Sequence, residues 1–88
     1  MTQTIVTLSN PTGLHARPAS ELIKAAAKFN CKIILNGNGK RADAKSIIMV
    51  LALGLKKGDS MTISADGPDE NEAISALEEL VAEKFHEE

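Results

Sequence analysis

Eighty-eight residues suffice for one modest core, and with 43% hydrophobic residues and only two aromatics, Phe29 and Phe85, that core must be aliphatic. A formal charge of −2 and the absence of Tyr and Trp argue against a nucleic-acid-binding surface. No apolar run approaches the ~18 residues of a membrane span, and no basic, hydrophobic and cleavage segments follow one another at the amino end, so a cytoplasmic protein without membrane insertion is expected.

The first element is a strand over Thr2 to Leu8, rich in β-branched residues and closed by the loop signature SNPTG. Ala19, Leu22, Ile23, Ala26 and Phe29 then fall at helical spacing, predicting a helix from about Ala16 to Lys28 with Pro18 tolerated in its first turn. Two apolar-bearing arms around Asn36-Gly37-Asn38-Gly39 predict a hairpin, because Asn-Gly accepts the positive φ of a tight turn.

Ser46 precedes seven consecutive apolar residues, Ile47 to Leu53, and Gly54 follows. A buried strand fits this run, but a short helix capped by Ser46 and stopped at Gly54 is the preferred reading. Strict alternation in SMTISA gives a fourth strand. Asp69 and Glu72 resemble a capping box for a last amphipathic helix, striped by Ala73, Ile74, Leu77, Leu80 and Val81 and running to Phe85.

The order is thus βαββαβα in a single α+β domain spanning residues 1–88, without repeats or linkers; an antiparallel sheet covered on one face by helices packs these elements most simply.

Charge is unevenly spread. Residues 1–58 hold nine of the ten Lys and Arg against two acids, Glu21 and Asp43, while 59–88 hold the other ten acids against Lys84. Such runs are often merely solvated faces, but they also suit a basic face that meets an acidic partner. The lone Cys31 has no metal-ligand spacing and reads as a small buried residue. His86, among glutamates near the carboxyl end, reads as a solvated tail residue.

The other histidine lies in TGLHARPAS. His15 falls at the start of the first helix, where backbone N–H groups lack intrahelical partners and the dipole is positive. Arg17 adds a fork of donors suited to phosphate oxygens, and both neighbours favour the neutral, nucleophilic imidazole. Gly13 and Pro18 would hold the loop against the helix end. From spacing alone a capping or surface histidine remains open.

GLHARPA at 13–19, NGK at 38–40, AKSI at 44–47, LGL at 53–55, ISADG at 63–67 and DENEA at 69–73 together resemble the HPr phosphocarrier family of the phosphoenolpyruvate-dependent sugar phosphotransferase system. The resemblance covers essentially the whole chain. It implies an open-faced β-sandwich, a four-stranded antiparallel sheet in the order 1-4-2-3 with three helices on one face. It implies a histidine, here His15, phosphorylated on Nδ1, with Arg17 as its electrostatic partner. Phosphate would arrive from Enzyme I and leave to Enzyme IIA domains; the protein would be a stoichiometric carrier and not an enzyme, needing no metal and no cofactor.

The resemblance also implies that Ser46 is a regulatory site, phosphorylated by an HPr kinase/phosphorylase and read by a catabolite control repressor. Seven successive apolar residues cannot all face one core. The resemblance makes Ile47, Ile48 and Leu51 docking contacts, ringed by Arg17, Lys24, Lys28 and Lys45. Ile48 and Met49 depart from the family's usual residues, which bears on partner choice. A monomer is expected.

Two related readings compete: a paralogous carrier in a nitrogen-related phosphotransfer chain, and a catabolite-repression regulator of the same fold, against which His15 argues. A hydrolase using His15 as base lacks a second acid, base or metal cluster nearby.

Overall fold

Alternation builds the sheet. The computed structural model describes residues 1–86 and contains β1 (Thr2–Thr7), α1 (Ala16–Ala26), β2 (Lys32–Gly37), β3 (Lys40–Asp43), α2 (Ile47–Ala52), β4 (Ser60–Asp66) and α3 (Glu70–Ala82), followed by a short turn, Lys84–His86. All pairings are antiparallel and the strand order is β1-β4-β2-β3, the open-faced arrangement expected. One row across the sheet reads Thr4, Ile63, Leu35, Ala42, and the neighbouring row reads Ile5, Thr62, Asn36, Arg41. A period of two therefore sends the first row to the helices and the second to solvent.

The core is aliphatic. Ile33, Leu35, Met61, Ile63 and Ala65 from the sheet meet Ala19, Leu22 and Ala26 of α1, Val50 of α2, and Ala73, Ile74, Leu77 and Val81 of α3. Phe85 drops into the same cluster from the terminal turn, whose residues Lys84, Phe85 and His86 all have positive φ.

The last helix stops at Ala82 rather than running to Phe85, and four further details refine or correct the sequence reading. The first strand presents Thr2, Thr4 and Val6 inward and leaves Ile5 exposed; Thr4 satisfies its inward hydroxyl by donating to Glu78 Oε2 at 2.8 Å. Helix α1 ends at Ala26, because Lys28 and Phe29 donate to Ala25 and Ala26 and tighten the last turn. Of the two Asn-Gly pairs, Asn38-Gly39 forms the hairpin turn, with φ of 54° and 71° closing the Gly37–Lys40 pair.

The fourth is the start of α3. Asp69 makes no side-chain cap; its Oδ2 accepts the Asn30 N–H at 2.7 Å, so the carboxylate joins α3 to the end of α1 instead. Glu70, not Glu72, reaches back: Oε1 accepts the Gly67 N–H at 3.3 Å, and Oε2 accepts the Thr2 hydroxyl at 2.5 Å and lies 3.1 Å from the Met1 amino group.

Candidate functional site

The segment before α1 is a fastened loop. Gly13 has a φ of 64°, and a Cβ there would lie 2.6 Å from both the Leu55 carbonyl oxygen and Lys56 Cα, so glycine is required by conformation and by contact. Its N–H donates to the Asn10 carbonyl at 3.2 Å, while its carbonyl accepts from Asn10 Nδ2 at 2.7 Å, deep in the core. Leu14 buries its side chain and donates its N–H to the Leu55 carbonyl at 3.0 Å.

His15 follows as the N-cap of α1, in extended backbone conformation with φ −81° and ψ −177°. Its carbonyl accepts the first intrahelical bond from Ala19 at 2.9 Å, but its side chain makes no capping bond and stands exposed. A capping histidine is therefore not what the loop holds. The N–H groups of Ala16 and Arg17, in the first turn, have no intrahelical acceptors and lie at the positive end of the dipole, while Pro18 has no N–H to satisfy. The Arg17 guanidinium is exposed and forms no ion pair among the described residues. A nucleophilic ring, two backbone donors and one guanidinium thus share a single helix start, suited to a transferable anion.

Arg17, Glu21 and Lys24 fall on one stripe of α1, and Lys28 follows in the turn beyond it; all three cations are exposed. Lys45 is placed differently. Its Nζ donates to the carbonyls of Phe29 and Cys31 at 2.8 and 3.0 Å, tying the loop before α2 to the end of α1.

Helix α2 packs beside α1 and buries only Val50. Ile48 is 79% exposed, and Ile47, Met49 and Leu51 are each about two-fifths exposed, so its outer side is an apolar patch. The chain leaving α2 brings the backbone of Leu55 and Lys56 against Gly13, which links the patch to the His15 loop. Ser46 is the N-cap at the other end, its hydroxyl accepting the Met49 N–H at 3.4 Å. The C-terminal end is held by Asn38 Nδ2 on the Leu53 carbonyl at 2.9 Å and Lys40 Nζ on the Ala52 carbonyl at 3.2 Å.

Cys31 is buried, and burial, followed by a hydrogen bond to Asp69, pushes its thiol above the ordinary value, which suits packing rather than reactivity. His86 is exposed, 3.9 Å from Glu83 Oε1; its neighbours Glu87 and Glu88 lie outside the described residues. Among the described residues no cluster of three or more His, Cys, Asp or Glu could hold a metal, and no helix is long and apolar enough to cross a membrane. Sequence reasoning missed Asn10 and Asp59, whose polar side chains fasten the loops around His15. The only local signals were an Asx residue before Pro-Thr-Gly and an aspartate after Lys-Lys-Gly.

The chain and its fold have close counterparts. Residues 2–83 match the family described as "PTS HPr component phosphorylation site". A crystal structure of HPr-C-His from Thermoanaerobacter tengcongensis superposes with a TM-score of 0.96 at 42% identity, covering 100% of this chain and 99% of that one. HPr from Bacillus anthracis gives 0.87 at 36% identity, over 91% and 95% of the two chains. The Bacillus subtilis catabolite repression protein Crh, described as a swapped dimer, gives 0.75 at 37% identity over 96% and 97%. A structure of a T. tengcongensis HPr dimer is also similar, with a TM-score of 0.77. With the family match running from the first strand through the last helix and these structures agreeing over nearly the full chain, the protein belongs to the HPr phosphocarrier family of the phosphotransferase system.

Proposed function

We propose that His15 is the phosphoryl acceptor of a cytoplasmic sugar phosphotransferase chain, loaded by phospho-Enzyme I and unloaded by Enzyme IIA domains. The observation that carries this reading is an exposed imidazole at the N-cap of α1 whose side chain takes no part in capping. The Nδ1 lone pair of the neutral ring attacks phosphorus in line as the bond to the donor imidazole breaks and its electron pair returns to that ring. The Ala16 and Arg17 N–H groups and the Arg17 guanidinium receive the charge on the transferring oxygens. Reversal of the same step on an Enzyme IIA histidine empties the carrier. Each molecule carries one phosphoryl group per cycle as a monomer and turns nothing over alone.

Docking falls to the outer side of α2. Ile47, Ile48 and Leu51 supply apolar contact, and Lys24, Lys28, Lys45 and Arg17 attract acidic partners, a combination suited to brief encounters. The backbone-bound Nζ of Lys45 contributes charge from a fixed point.

Regulation at Ser46 is supported by its position. The hydroxyl oxygen would attack the γ-phosphate of ATP on an HPr kinase/phosphorylase, releasing ADP, and the phosphoserine would sit at an N-terminus that tolerates negative charge. Its added charge lies beside Ile47 and so acts on docking, with a catabolite control repressor as the reader of the modified form.

Intact mass after incubation with phosphoenolpyruvate, Mg²⁺ and Enzyme I tests the carrier role. One acid-labile phosphoryl adduct is expected, absent from a folded His15→Ala variant. Arg17→Ala is expected to slow loading by up to about 10²-fold, the scale of losing one preorganised donor. An undiminished adduct on His15→Ala would remove the assignment.

A further inference from the structure

The loop presenting His15 rests on a second loop, and one carboxylate organises that second loop. Asp59 is half-buried just before β4. Its Oδ2 accepts the Lys56 N–H at 2.9 Å, and its own N–H donates to the Lys56 carbonyl at 3.0 Å. On the other side its carbonyl accepts the Leu8 N–H at 2.9 Å, and the Gly58 N–H donates to the Leu8 carbonyl at 2.7 Å. Residues 56–59 therefore form a turn closed by a side chain and stitched to the end of β1. Leu55, directly ahead of that turn, offers its carbonyl to the Leu14 N–H, one residue before His15.

We infer that Asp59 is a positioning residue for phosphoryl transfer at His15, acting through the Lys56 amide and the Leu55 carbonyl on Leu14. This rests on the carrier reading of His15. The imidazole makes no capping bond of its own, so its aim is set by the backbone to which it is attached. That backbone is pinned at Gly13 by Asn10 from above and at Leu14 by Leu55 from below. A carboxylate accepting a backbone N–H is a charge-assisted bond, stronger than a neutral one. Without it the Lys56 N–H loses its acceptor and the turn keeps only its backbone bonds, so Lys56 and Leu55 gain freedom to shift, and the contact under Gly13 passes such a shift to the His15 loop. In-line transfer is sensitive to such a shift, since a misplacement of about 1 Å can cost ~10²-fold in rate.

The test compares Asp59→Ala with Asp59→Asn, which keeps an acceptor oxygen in the same place. Loading by Enzyme I is measured as kcat and KM, and the His15 ring resonances and Leu14 amide exchange are followed by NMR in the unphosphorylated protein. Asp59→Ala is expected to lower kcat by about tenfold with little change in KM, to shift the His15 ring signals, and to speed Leu14 exchange. Asp59→Asn is expected to restore most of all three. Thr4→Ala, which loses a side-chain bond to α3 rather than to this loop, is expected to leave kcat unchanged. Unchanged kcat or unchanged ring signals in Asp59→Ala, or an Asp59→Asn as defective as Asp59→Ala, would overturn the inference. If the wild-type protein accepts no phosphate, the carrier reading fails by itself. The ring signals and Leu14 exchange then still decide whether Asp59 holds His15.

Discussion

Gly13→Ala perturbs the backbone contact on which the His15 loop rests. Alanine at a φ of 64° costs about 1–2 kcal/mol in the left-handed region. The new Cβ would also lie 2.6 Å from the Leu55 oxygen and Lys56 Cα and 2.8 Å from the Lys56 carbonyl carbon, all backbone atoms that cannot rotate aside. Overpacking of this kind adds about 1–3 kcal/mol, for a total of roughly 2–5 kcal/mol against the 4–13 kcal/mol that ~0.05–0.15 kcal/mol per residue provides. Gly39→Ala separates the two contributions, because Gly39 has a φ of 71° with nothing within 4 Å of a built Cβ. Both substitutions stiffen the unfolded chain alike, so that effect cancels between them. Thermal melts followed by circular dichroism should place Gly13→Ala below Gly39→Ala by roughly 4–24 °C, the overpacking contribution at ~4–8 °C per kcal/mol for a domain of this size. Equal melting points would show that the loop yields freely, and the account of a fastened His15 would fall with it.

Acid should loosen the join between β1 and α3. The Thr2 hydroxyl first, then the Met1 amino group and the Gly67 N–H, hold the Glu70 carboxyl at about 2 against an ordinary 4.5. Its folded value is depressed, so its contribution is present above pH 4.5 and is lost as pH falls from there towards 2. Melting points recorded across that window should fall less steeply for Glu70→Gln than for wild type; parallel curves would remove the assignment. At Ser46, alanine should cost about 0.5–1 kcal/mol, the low end for an N-cap, because the bond to Met49 is 3.4 Å long. Ser46→Asp should retain that stability while slowing loading by Enzyme I, and equal loading rates would argue against a switch at this position.

Strands and helices were legible where one face of one element decides the pattern, as in SMTISA and the Ala73–Val81 stripe. What could not be read were contacts between distant segments. Two Asn-Gly pairs competed for the hairpin turn, and Asn38 is the one whose side chain also holds the carbonyls of Leu53 and Gly54. Asp69 looked like half of a capping box, yet it bonds Asn30, 39 residues earlier, and leaves the backward reach to Glu70. Propensity names the residue types that can cap or turn; the fold chooses among them.

The candidate site divides the same way. His15, Arg17 and the outward apolar residues of α2 were visible because they lie in short segments with too much chemistry for their local structure: a histidine at a helix start, and seven apolar residues on a helix with room to bury few. Asn10 and Asp59 were invisible because their importance lies in the loops they join. The charge split gains meaning only from the fold. Among the described residues no Lys or Arg forms an ion pair, and the ion pairs present involve Met1 and His86. Lys40 and Lys45 turn instead to backbone carbonyls. No direct ion pair among the described residues therefore joins the Lys and Arg of the first part of the chain to the acids of the last part. Arg17, Lys24 and Lys28 thus stand exposed, without a direct carboxylate partner, along the helix that His15 caps and the turn beyond it, which is the arrangement that the proposed docking of an acidic partner draws on.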